Sequence, residues 1–136
     1  MKSLNEYIKY INEAIDEEKF RMGGYYYKEI ILTKDFNYMS KADFLERSKI
    51  RPGSYGAHKK LLKKFEKLNW IDSNGDIIIP KGTIMTCYGK SMEAYGTRNL
   101  NVYDFSLHAT DSIFFLYPAH HDTEKFFKSV KLYKQK

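Results

Sequence analysis

Three of the four histidines, His108, His120 and His121, crowd into one stretch of the chain, and two of them open the same triplet. His108-Ala109-Thr110 and His121-Asp122-Thr123 both read His-x-Thr. Two imidazoles can act as acid and base on one phosphodiester while the Thr hydroxyls hold its oxygens. His108, His120 and His121, with Asp111 and Asp122, also offer nitrogen and oxygen ligands of the kind zinc or manganese takes. Adjacent histidines on extended chain point to opposite sides, so at most one of His120 and His121 readily joins a shared site. Cys87, the only cysteine, lies in the apolar run Thr83–Tyr88 and reads as a small buried hydrophobe, not a nucleophile. One cysteine also excludes an intramolecular disulfide framework or a Cys-rich zinc module. Gly23-Gly24, Gly89 and Gly96 form no phosphate-cradling pattern. No catalytic residue, metal or cofactor is expected on these grounds, and the chain reads as a binder, not an enzyme.

The stronger chemical signal is cationic. Residues 40–70 hold 9 basic and 3 acidic side chains, so this one segment carries a charge equal to the whole chain's +6. The tail, residues 124–136, adds 5 basic against 1 acidic, and the rest of the chain offsets it. Clustering of this kind favours a polyanion such as nucleic acid, although a Lys-rich helix can also be a plain solvated face. Arg51, Lys59, Lys60, Lys63, Lys64 and Lys67 are the candidate phosphate contacts. The Tyr25-Tyr26-Tyr27 run could stack on bases, but alternation along a strand would turn at least one ring into the core.

These residues need elements to hold them. Leu4, Tyr7, Ile8, Ile11 and Ile15 recur at helical spacing behind Ser3 as cap. Tyr25–Thr33 is β-branched and aromatic, hence a strand. Ser40 with Asp43 opens a helix to about Ser48, Pro52-Gly53 turns the chain, and a second helix runs from Ser54 to about Leu68. Ala57, Leu61, Leu62, Phe65 and Leu68 form its apolar stripe. Asn69–Pro80 is a hairpin around Asn74-Gly75, a pair suited to a type I′ turn. Thr83–Tyr88, Asn101–Leu107 and Ser112–Tyr117 are strands, and Glu124–Leu132 a helix.

The expected fold is therefore α+β: a small single domain with a winged-helix-like helix-turn-helix plus hairpin, then a C-terminal antiparallel β region. In a winged helix the second helix enters the major groove and the hairpin can touch backbone beside it. The length of 136 residues suits one domain. Apolar runs such as Ile77–Ile79 and Ile113–Tyr117 are far short of the ~20 residues a bilayer demands, so no membrane partner is expected.

The first fourteen residues, MKSLNEYIKYINEA, resemble the capsid-targeting leader of T-even-type bacteriophage internal head proteins. Met1, Lys2, Ser3, Leu4, Glu6, Tyr7 and Ile8 match its opening. Ile11, Asn12 and Glu13, followed by Ala14, match the site where the phage prohead protease cuts. Ile15-Asp16-Glu17 is a second, poorer match, and extra residues separate the aromatic step from the cut. The resemblance implies a leader over 1–13 and a mature domain over 14–136. It implies partners in turn: the prohead protease and scaffold, then DNA or a host defence enzyme that the protein inhibits without catalysis. It also implies a place, the virion interior and afterwards the host cytoplasm. Residues 1–13 carry two Lys and two Glu, so cleavage would leave the +6 intact.

Two other readings stand beside this one. One is an intracellular winged-helix nucleic-acid binder that undergoes no processing. The other rests on the His-x-Thr triplets, which resemble the motif of two-histidine phosphoesterases. In that family the two copies lie on separate halves of a duplicated fold, whereas here they are close together and no duplication is visible.

Co-expression with a T-even-type prohead protease should remove residues 1–13 and leave Ala14 as the new N-terminus, as read by intact mass. A chain that stays whole would refute the leader.

Overall fold

A computed structural model describes residues 15–48, 55–95, 98–118 and 121–133. The segment expected to be a leader, with its expected cut site at Ile11, Glu13 and Ala14, and Arg51 of the basic segment lie outside them. Ile15, 5% exposed, already belongs to the core. Asp16 then accepts from the Glu18 and Lys19 amides and caps the short helix α1, Glu17–Arg21.

The chain continues as β1, Glu29–Leu32, and β2, Phe36–Ser40. Next come α2, Lys41–Ser48, α3, Tyr55–Lys67, and β3, Asp76–Ile79. The second half holds β4, Ile84–Tyr95, β5, Arg98–Leu107, and β6, Ser112–Leu116. It closes with α4, Thr123–Lys128, and β7, Val130–Leu132. The architecture is α+β, with an antiparallel five-stranded sheet ordered β6-β5-β4-β1-β7 and a small antiparallel sheet β2-β3.

Period-two alternation decides which side of the large sheet is core. Ile30 and Leu32, Met85 and Cys87, Phe105 and Leu107, and Phe114 and Leu116 all point inward and are buried. Glu29, Thr86 and Ser106 lie in register across the other face. Phe105 stacks on Phe20 of α1 at 4.9 Å and meets Phe126 of α4 at 5.2 Å and Phe114 of β6 at 5.8 Å. Phe126 also meets Phe36 of β2 edge-on at 5.1 Å, carrying the aromatic core into the small sheet. The Tyr38 hydroxyl donates to the Phe115 carbonyl at 2.6 Å and ties the small sheet to edge strand β6.

Several expectations need correction. The strand expected at Tyr25–Thr33 begins only at Glu29, because Tyr27 has φ +66° and the Lys28 amide donates to the Tyr25 carbonyl in a turn. Phe36–Ser40 was not anticipated as a strand, although buried Phe36 and Tyr38 alternate with exposed Asn37. The helix expected over Glu124–Leu132 stops at Lys128, and Val130–Leu132 pairs with β1 instead. The Asn69–Pro80 hairpin is reduced to one bridge, Ile71 to Ile77, because β3 takes β2 as its main partner. Its turn is not type I′, since Gly75 has positive φ and Asn74 does not. Asp72 holds the turn by accepting from the Asn74 and Asp76 amides through its carboxylate. Leu68, expected in the apolar stripe, is 40% exposed.

Phe20 is 1% exposed and its ring touches Tyr103, Phe105 and Phe127. Phe20→Ala should therefore cost about 3–5 kcal/mol of unfolding free energy, measured by urea denaturation. A loss below ~1 kcal/mol would show that α1 does not anchor the core.

Candidate nucleic-acid interface

The helix α3 sorts its side chains by angle. At about 100° per residue, Lys59, Lys63, Lys67, Lys60 and Lys64 fall in that order within an arc of about 140°. All five are exposed. Leu62 and Phe65, both buried, and Leu61 and His58, both half-buried, occupy the opposite side. That side is held by rings: Phe65 stacks on Trp70 at 5.5 Å and meets Phe44 of α2 at 5.9 Å. Burial of one stripe thus turns the lysines outward.

The acids nearby are arranged so that the face stays positive. Glu66, the only acid on α3, pairs with Lys41 of α2 at 3.2 Å. Lys64 donates from Nζ to the Thr110 carbonyl at 3.1 Å, docking α3 on the turn between β5 and β6. Lys60, Lys63 and Lys67 make no ion pair or hydrogen bond among the described residues. α2 is capped by Ser40, whose Oγ accepts from the Asp43 amide at 3.1 Å, as its sequence requires. The turn before β3 carries Asp72, β3 itself opens on Asp76, and neither holds a cation, so phosphate contact would fall to α3 and not to this hairpin.

The histidine triplets are drawn apart by their own partners. His108 Nε2 lies 2.8 Å from Thr86 Oγ1, and its Nδ1 lies 3.9 Å from Glu29 Oε2. Its hydroxyl neighbour is therefore Thr86 across the sheet, while Thr110 is buried in the turn. His121 stacks on Tyr38 at 4.8 Å, and its Nδ1 accepts from the Tyr117 amide at 2.9 Å. Asp122 is spent capping α4, accepting from the Lys125 amide at 2.9 Å. His120 lies outside the described residues. Among the described residues no three His, Cys, Asp or Glu side chains converge on a metal position. No described helix is long and apolar enough to cross a membrane.

The tyrosine run divides as alternation suggested, though in a turn. Tyr25 is buried and its hydroxyl accepts from the Asp16 amide at 3.1 Å. Tyr26 and Tyr27 are exposed with ring centres 4.1 Å apart, and Tyr27 meets Tyr88 edge-on at 5.9 Å. Sequence reasoning missed Tyr88, which stands at a β-bulge between Cys87 and Gly89. The contact joins residues far apart in the chain, so no local pattern announces it.

No family model matches the chain, and no curated protein and no solved structure shows significant similarity to it.

Cys87 is fully buried, and desolvation pushes its thiol up to about 12. It should resist a thiol-reactive reagent near pH 8 and react only as the chain unfolds, which a time course with and without denaturant reads directly. The neutral thiol is favoured by the fold, so its contribution to stability is full below its unfolded pKa of about 8.5 and declines as pH rises toward 12. Rapid labelling of the native protein would overturn the reading of Cys87 as an inert core residue.

Proposed function

We propose that this chain is a non-enzymatic, polyanion-binding phage internal head protein. In this reading it is packaged with the genome, loses residues 1–13 and enters the host with the DNA. Its mature domain then binds nucleic acid through α3. The observation that carries the binding half is the lysine face of that helix, five exposed cations within one arc opposite the buried stripe. The order β2, α2, α3, the Ile71 bridge and β3 supports a winged helix, with α3 in the position of the recognition helix. The leader resemblance supports the delivery half, and the neutral charge of residues 1–13 leaves the mature domain at +6. A host defence enzyme as target would draw less on these lysines and more on exposed rings such as Tyr26 and Tyr27.

Phosphate contacts release counterions, so affinity for a DNA duplex should fall steeply as salt rises. The triple variant K60E/K63E/K67E changes only lysines without partners among the described residues and leaves the Lys64 tether in place. It should fold normally by circular dichroism, bind at least about tenfold more weakly and flatten the log–log salt slope by about three. Unchanged affinity in a folded triple variant would remove α3 as the contact surface.

A further inference from the structure

The outer face of the large sheet carries a polar row that neither the core nor the basic helix uses. Glu29 of β1, Thr86 of β4 and Ser106 of β5 stand opposite one another in register. Cross-strand partners share a face with Cβ atoms about 4.5–5.5 Å apart, so these three side chains adjoin on neighbouring strands. His108 lies two residues beyond Ser106, and alternation returns it to the same face. Its amide donates to the Ile84 carbonyl at 3.2 Å, which holds its backbone beside β4.

The two ring nitrogens of His108 face different groups. Nε2 lies 2.8 Å from Thr86 Oγ1, and Nδ1 lies 3.9 Å from Glu29 Oε2. That carboxylate oxygen is buried and has no hydrogen-bond partner among the described residues. A carboxylate only accepts, so it favours the neutral ring tautomer with its proton on Nδ1. Nε2 is then the acceptor, and the Thr86 hydroxyl donates to it. Hydroxyl, imidazole and carboxylate in that order are the arrangement that makes an alcohol nucleophilic. The 3.9 Å separation is longer than a hydrogen bond, as such pairs often are before a ligand closes them. Ser106, directly opposite Thr86, makes no side-chain hydrogen bond among the described residues and can donate to an oxyanion formed there. The His108 and Glu29 side chains are 42% and 34% exposed, and Thr86 and Ser106 are half-buried, so a reactant can approach from solvent.

We infer that Thr86 is an acyl-acceptor site for an activated ester or thioester. Thr86 Oγ1 attacks the carbonyl carbon as His108 Nε2 takes the hydroxyl proton. Ser106 donates to the carbonyl oxygen as it gains charge. The bond to the alcohol or thiol then breaks, the leaving group takes the proton from His108, and the acyl group stays on Thr86. Glu29 acts through His108 as a positioning residue. Each chain consumes one donor, which makes this a modification and not a turnover. The site uses none of the α3 lysines, so it stands apart from the nucleic-acid reading.

p-Nitrophenyl acetate is the probe, with fragment mass mapping to separate acetyl at position 86 from acetylated lysines. The full chain should accumulate one acetyl at Thr86. In H108A the rate at this position should fall about a hundredfold. T86V should carry no acetyl there, and T86S should restore it, each variant checked for folding by circular dichroism. The Gln amide of E29Q can donate to Nδ1, so this variant should move the ring proton to Nε2, read by imidazole nitrogen shifts, and slow acetylation at least about tenfold. The K60E/K63E/K67E variant should acetylate like the wild type whichever way the nucleic-acid test falls. Acetylation confined to lysines would overturn the assignment. An unchanged rate in folded H108A, or an unchanged tautomer and rate in E29Q, would do the same. Nitrophenolate release that continues past the acetylated sites and stops in T86V would support the nucleophile and refute instead the non-enzymatic reading of the chain.

Discussion

The packing of Phe105 against Phe20, Phe114 and Phe126 is the constraint on which the rest of the structure depends. α1 has five residues and α4 six, too short to be stable helices alone. Each is held because a buried ring reaches one face of the large sheet. A side chain such as Phe126, fully buried and in contact with β2, β5 and β6 partners, gains far more from removal of apolar surface than the helix gains from its own hydrogen bonds.

The same cluster explains how the basic helix is presented. Phe36 extends the core from α4 to the small sheet, and Tyr38 bonds the edge of the large one. α3 then packs through Phe65 against Phe44 and Trp70, which leaves its lysines on the solvent side. The Lys64 tether and the Glu66–Lys41 pair contribute modestly to stability at such exposed positions. Their larger consequence is electrostatic, because the one acid of α3 is neutralised by a lysine from another element. A groove of about 370 Å³ lies at the same junction, where Tyr38 of β2 bonds Phe115 of β6 and Lys64 of α3 bonds Thr110 in the turn before β6.

Local patterns were legible wherever one face of an element is buried. α2 with its Ser40 cap, α3 with its stripe, and β6 follow from periodicity and capping, while β4 and β5 were legible only in part, since β4 runs on past Tyr88 to Tyr95 and β5 starts at Arg98. The misreadings came where tertiary pairing overrode local preference. Val130–Leu132 continues a helical pattern from Phe126, yet it completes the edge of the large sheet beside β1. Asn74-Gly75 favours a type I′ turn, but the Asp72 carboxylate organises a different one. The two His-x-Thr triplets look alike in the chain and diverge in space, because Thr86 and Glu29 surround one histidine while Tyr38 and Tyr117 engage the other.

By itself the sequence determined the α+β class, the cationic character of residues 40–70 and the helix that carries most of it, because charge and hydrophobic period are local properties of the chain. Only the tertiary structure decided which lysines stand free, that Tyr88 joins Tyr26 and Tyr27, and that a groove separates α3 from β6. Each of these depends on contacts between residues distant in sequence, and such contacts are set by how the aromatic core packs.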